Sequence, residues 1–419
     1  MHSEMKAGRI LIRNAEEIVS PTGTKAVDLN SADEVNITRR SSILISNSRV
    51  EGIDVRHGST DADLIIDAEG CVVLPGLIDP HTHMIFAGTR EDEFYRRLHG
   101  ESYTDIARSG GGILRTARYT SEAGADQIYR QTMERVRSSV MNGITTLEMK
   151  TGYSLDLNTE VKMSSVAEMV RSTGIVNVAT TFLGLHFVPN GFTSEEFTEK
   201  VISEFLPVMS ERASFADVFC DSGAFSPEES LRFLRASKSR GMKLKVHADE
   251  IENIGSLDML SGLGLTSADH LINSTVDQLS ALAKNGSVGV VLPITSFYLD
   301  PAKMPVADRF MKAGLPVALG TDCSPATYAP NMIFAIYLAV RFCGFSINQA
   351  LTASTLNAAI AVGMEGRGTI AENSHADLIV VKANSYREIP YKFGSDMVKD
   401  VVVNGRPVVK DWNLISEPI

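Results

Sequence analysis

The sequence predicts an α/β protein: a (β/α)8 TIM-like barrel over residues 75–369, joined to a small composite β-sandwich built from residues 1–74 and 370–419. Three observations carry this. Strand-length apolar runs alternate with helical segments through the middle of the chain. Both ends are dense in β signals. Five of the nine histidines fall at the ends of proposed barrel strands, where barrel enzymes build their sites.

At the N-terminal end, ILIRNAEEIVS, SSILISNSRVEGI and LIIDAEGCVVLPG cluster β-branched residues between Gly, Pro and Asn breakers. At the C-terminal end, ADLIVVKA and VKDVVVNGRPVV do the same, with Asn404-Gly405 as a hairpin signal. Neither end has a long helical period, so the two are expected to close one β domain. Between them, strands are expected at 72–79, 144–149, 176–185, 214–220, 243–248, 267–272, 288–293 and 317–321. Helices are expected at Ala123–Met141, Asn158–Arg171, Glu195–Arg212, Pro227–Arg240, Thr275–Lys284 and Pro301–Lys312. Pro227, directly after Ser226, suits a first helical turn. An open doubly wound sheet is the competing architecture. Its glycine fingerprint is missing, because Gly110-Gly111-Gly112 neither follows a strand directly nor has the G-x-G-x-x-G spacing.

Composition narrows the function class. The 419 residues are 44% hydrophobic and 22% charged, ordinary for a globular chain and unlike a disordered one. The net charge of -11, from 51 acidic and 40 basic residues, argues against a nucleic-acid partner. The longest apolar stretch, near Ile333–Val340, is cut by Arg341 and falls short of the ~20 residues a membrane helix needs. The opening MHSEMKAGRI is charged and lacks an apolar core, so no secretory signal is expected there. Cys71, Cys220, Cys323 and Cys343 form no CxxC pair and read as reduced packing thiols of a cytoplasmic protein.

The polar residues at the strand ends carry the chemistry. His81 and His83 follow VVLPGLIDP, and period two turns both imidazoles to one face. His247 ends KLKVHADE, where an unpaired histidine in a buried strand would be costly. Glu250 lies just past that end. His270 ends SADHLIN, and Asp322 ends VALGTDCSP. Each has a plainer reading: a core histidine for His247, a helix-start acid for Glu250, a turn cap for Asp322. If the barrel closes, however, these ends face one another. Three His and one Asp suit one divalent metal ion, Zn or Fe, which makes hydroxide available near neutral pH.

In this order, PGLIDPHTH, the later strand-end histidines and TD resemble the amidohydrolase superfamily. Its binuclear branch carries a strand-four lysine. Here FADVFCDSGAF has none, so one metal is inferred, and Lys150 on strand two reads as structural or solvent-facing. Within the superfamily the chain resembles the imidazolonepropionase family. The resemblance rests on DPHTH, the segment Gly88–Phe94, SGGGI at 109–113, the run Thr145–Asp156, TFLGLHFVP, HADE and SADHL. It implies that His81, His83, His247 and Asp322 hold the metal, and that Glu250, His270 and Asp322 do the catalytic work. It further implies that Arg90 and Tyr153 bind a substrate propionate, and that His186 and Glu250 contact the substrate. Where the family has an Asn and a Gly for substrate contact after the strand-eight Asp, this chain has Ser324 and Ala326, followed by Thr327. Without the resemblance, Arg90 suits a surface ion pair, Tyr153 a loop contact and His186 a core position. The implied reaction is hydrolysis of the ring C–N bond of 4-imidazolone-5-propanoate, in histidine degradation. The implied partner is a small carboxylate-bearing substrate, and the family suggests a homodimer. The alternatives are another mononuclear amidohydrolase, such as a heterocycle deaminase, or a non-catalytic scaffold of the same shape.

Overall fold

Eight parallel strands follow one another in chain order, and no strand is exchanged between neighbours. In the computed structural model, which describes residues 8–55, 61–101, 105–106 and 109–415, they are Leu77–Asp79, Ile144–Lys150, Asn177–Leu185, Phe215–Cys220, Lys243–Ala248, Ser267–His270, Val288–Val291 and Val317–Leu319. We number them 1 to 8. Strands 1 and 8 meet just beyond their ends, where Thr82 bridges Cys323. There the His83 N–H donates to the Cys323 carbonyl at 2.9 Å, and the Asp322 N–H donates to the His81 carbonyl at 3.0 Å. The barrel therefore closes at its C-terminal rim, through the segments that carry the candidate metal ligands.

The second sheet has nine strands drawn from both ends of the chain. Ile10–Pro21 pairs with Val35–Ser46 and, in parallel, with Val72–Pro75. Leu378–Val381 then pairs antiparallel with Val72–Pro75 and hands the sheet on to Val398–Val403. Period two divides these strands between two cores. Val72, Leu74, Ile379, Val381, Val401 and Val403 pack with the barrel cluster. Val73, Leu378, Val380 and Val402 face a core belonging to the terminal sheet itself. Residues 1–7, with most of the charged opening stretch, and 416–419 lie outside the described residues.

Several boundaries differ from expectation, each for a local reason. The expected strand 72–79 is two strands in two sheets, broken at Gly76. A Cβ at Gly76 would fall inside the Thr145 side chain, so only glycine lets the chain cross so close to strand 2. The expected helix 195–212 is split into Ser194–Lys200, a π-helical turn Val201–Phe205, and Leu206–Met209. Pro207 lacks the N–H that a continuous helix would use. Strand 7 stops at Val291, because Pro293 opens a helix, Pro293–Leu299, that was not expected. The helix expected at 301–312 begins only at Ala307, past Met304-Pro305. At Pro227–Ser239 the expected start holds: Ser226 and Glu229 form a reciprocal capping box. All four cysteines are buried and free.

Candidate active site

The rim gathers five histidines. His81 and His83 extend strand 1, His186 follows strand 3, His247 lies in strand 5 and His270 ends strand 6. The Nε2 atoms of His81 and His83 are 3.2 Å apart, and those of His247 and His83 are 3.3 Å apart. Asp322 Oδ1 lies 3.7 Å from His81 Nε2 and 3.5 Å from His83 Nε2. Two carboxylates behind the rings fix their orientation. Asp269 Oδ2 is 2.6 Å from His81 Nδ1, and Asp217 Oδ1 is 3.2 Å from His247 Nδ1. A hydrogen held on each Nδ1 leaves the Nε2 lone pair bare. Burial drives His81 and His83 well below the usual imidazole range, with Lys150 and the neighbouring rings adding to it, so proton sharing does not relieve the crowding. Three imidazole nitrogens converging this closely, beside a carboxylate, make a group suited to a metal ion.

Backbone strain marks the same place. His270 (φ 74°) and Asp322 (φ 52°) both adopt left-handed conformations that L-residues avoid. Thr295, in the unexpected helix, donates to Asp322 Oδ2 at 2.6 Å. Glu250 sits 3.6 Å from His270 Nδ1, with its side chain 17% exposed. Burial pushes the Glu250 carboxyl up to about 8, and the Asp322 and Asp221 carboxylates add to the rise.

The other expected residues fall around this centre. The His186 ring stacks on His83 at 5.2 Å and lies 5.1 Å from Tyr153. Its Nδ1 meets the Gly152 carbonyl at 3.2 Å. Arg90 is buried, 3.9 Å from Glu93, and its Nε has no partner. It lines a cleft of about 690 Å³ with Phe94, Tyr298, Ala326, Thr327 and Tyr328. A smaller recess of about 200 Å³ holds Glu250, His270, Thr295 and Lys303. The helix Pro293–Leu299 is the wall between the two spaces. Ser324 points elsewhere: its Oγ accepts the Thr327 N–H at 3.1 Å and closes its own turn.

Sequence reasoning missed the layer beneath the ligands. Lys150 is fully buried, not solvent-facing, as are Glu148, Asp217, Lys245 and Asp269. A signal was available, since Lys245 stands two residues before His247 and so shares its face of the strand. Thr295 gave none, because it falls between the expected strand 288–293 and the helix expected from Pro301, where no element was expected.

The profile of the amidohydrolase family matches residues 72–408, so the chain belongs to that family of hydrolases. It is 41% identical to the imidazolonepropionase of Thermoplasma volcanium over 395 residues, covering 94% of this chain and 96% of the relative. It is 39% identical to the imidazolonepropionase of Picrophilus torridus, covering 97% of this chain and all of the relative. Within the amidohydrolases it is thus a member of the imidazolonepropionase family. The fold also matches the crystal structure of an adenosine deaminase from Xanthomonas campestris with bound zinc, at a TM-score of 0.72 and 16% identity, covering 97% of this chain and 94% of that one.

Proposed function

We propose that the chain hydrolyses the ring C–N bond of 4-imidazolone-5-propanoate, with water, to N-formimidoyl-L-glutamate, a step of histidine degradation. The observation that carries the residue-level reading is the convergence of three imidazole Nε2 atoms and one carboxylate at the barrel rim. His81, His83, His247 and Asp322 would hold one zinc or iron ion, which when bound supplies an acidified water and polarises the carbonyl. The protein's own groups do the rest. Thr295 holds the Asp322 carboxylate in place from the side away from the histidines. Glu250, whose carboxyl burial pushes up to about 8, delivers a proton to the departing ring nitrogen. His270, beside Glu250, orients that carboxyl. His186 and Tyr153 wall the ring, and Arg90 takes the propionate with a charge-assisted fork. Ala326 and Thr327 border the same cleft. Ser324 contributes by shaping the turn that carries them.

The domain division proposed is residues 1–74 with 370–419 against 75–369, supported by the shared sheet of both ends. A cytoplasmic location is supported by four buried, unpaired cysteines, and no described helix is long and apolar enough to cross a membrane. The deciding experiment supplies freshly made imidazolonepropionate and follows loss of its ultraviolet absorbance with and without chelator. Turnover that the chelator abolishes and added zinc or iron restores is expected. Turnover indifferent to metal removal would refute the metal reading.

A further inference from the structure

Directly beneath the candidate ligands lie five fully buried charged side chains: Glu148, Lys150, Asp217, Lys245 and Asp269. Lys150 Nζ is 2.7 Å from Asp217 Oδ2, 2.9 Å from Glu148 and 3.7 Å from Asp269. Asp217 and Asp269 are the two carboxylates that face His247 Nδ1 and His81 Nδ1. One ammonium therefore touches both acids that aim metal-binding rings. We propose that Lys150 is a positioning residue of the metal centre, acting chiefly through Asp217 to fix the direction of the His247 Nε2 lone pair. This rests on the reading of His81, His83, His247 and Asp322 as metal ligands.

The contacts of Asp217 leave it little freedom. Oδ1 accepts the Val218 N–H at 2.8 Å, Oδ2 takes Lys150 at 2.7 Å, and both oxygens lie 3.2 Å from His247 Nδ1. With a neutral residue at position 150, the Asp217 carboxylate would lose its ammonium partner and keep only the Val218 N–H and His247 among these contacts, so it would turn toward any further donor or water it could reach. The His247 ring would lose its fixed orientation with it. The other lysine does not duplicate this work: Lys245 Nζ is held by Glu148 at 2.9 Å and the Pro80 carbonyl at 3.1 Å. A second feature points the same way. His81, Glu148 and Asp269 form a group whose donor atoms lie within 4.8 Å of one another, a set that suits a cation. Lys150 Nζ stands against two of its three members and supplies the positive charge there.

The test is Lys150→Met, read by zinc affinity in chelator competition, by the absorption spectrum of the cobalt-substituted protein, and by thermal denaturation. Zinc affinity is expected to fall about tenfold or more, the range seen when outer partners of metal-binding histidines are removed, with an altered cobalt spectrum. Lys245→Met, which leaves the Asp217 clamp in place, is expected to change affinity by less than about threefold. Lys150→Gln keeps a donor toward Asp217 and is expected to recover part of the loss. A folded Lys150→Met protein with wild-type affinity and spectrum would overturn the proposal, as would equal losses in the two lysine variants. Failure of both Lys150 variants to fold would overturn it too, because the ammonium would then serve the barrel rather than the metal. A wild-type protein that binds neither zinc nor cobalt would instead undo the metal reading itself.

Discussion

The rim and the floor of this barrel solve the same electrostatic problem in opposite ways. At the rim, burial holds His81 and His83 well below the usual imidazole range, and their Nε2 atoms converge with that of His247. A few ångströms below, Glu148, Lys150, Asp217, Lys245 and Asp269 pair acid with ammonium in one buried network. Burial alone would lower the Lys150 ammonium, but its three carboxylates prevail and hold it above its ordinary range. The rim thus leaves electron pairs free for a ligand, whereas the floor spends every charge on a neighbour. Between floor acids and rim imidazoles, the two layers meet at Asp217 with His247 and at Asp269 with His81.

The largest expected effect comes from breaking the rim. His247→Ala removes a donor that no floor residue can replace. Loss of the ion would forfeit about 4 kcal/mol of transition-state stabilisation, so turnover should fall by ~10³-fold or more. Metal analysis of the purified variant is expected to show depletion. Full metal content with normal turnover would mean that the rim is not the metal centre.

Next in size is a change that spares both layers. Glu250→Gln keeps volume while losing the titrating carboxyl. We expect kcat to fall by ~10²-fold with metal content unchanged. An undiminished kcat in the metal-replete variant would remove Glu250 from proton transfer.

The contrast between rim and floor also explains what was legible in the sequence. The strand-end residues His81, His83, His247, His270 and Asp322 stand out because apolar runs frame them, and the barrel needed only the count and order of those runs. Asp217 and Asp269 sit inside the runs FADVFC and SADH, where an isolated acid reads as a surface position until a partner from another strand is known. Their partners lie 67 residues away in one case, Lys150 to Asp217, and 188 in the other, His81 to Asp269, separations that local pattern does not encode. Helix ends followed the same division. The capping box at Ser226 is written in adjacent residues, whereas the break at Pro207 and the helix from Pro293 required weighing proline against strong apolar periodicity.

A smaller effect concerns substrate selection, away from both layers. Among the described residues, Arg90 has a buried Nε without a partner, and its counter-charge is Glu93 at 3.9 Å. Arg90→Met should raise KM by about 10–150-fold, the worth of one charge-assisted contact, with kcat and metal content little changed. It should also erase the preference for a propionate-bearing ring over an uncharged analogue. Retention of that preference would transfer the carboxylate contact to another residue, with Lys303 of the neighbouring recess the first to test.

The smallest effect is on stability and isolates one buried acid outside the charge-paired floor. Glu160 lies on the helix Leu157–Thr173 and accepts a hydrogen bond from Ser154 in the loop that carries Tyr153. No ammonium compensates it, so burial pushes its carboxyl from 4.5 up to about 7, against the lowering effect of Ser154 and Thr151. The sign follows from the raised value. The folded state binds the proton more tightly than the unfolded chain, so this contribution to stability is complete below about 4.5 and is lost as pH rises to about 7. The loss has a ceiling of about 3 kcal/mol. Glu160→Gln cannot ionise, so its stability relative to wild type should improve steadily across that window and level off above it. Denaturant titrations at pH 5, 6, 7 and 8 measure the difference. A wild-type-minus-variant difference independent of pH would show that Glu160 is ionised in the fold, and that an uncompensated acid survives here as well as on the paired floor.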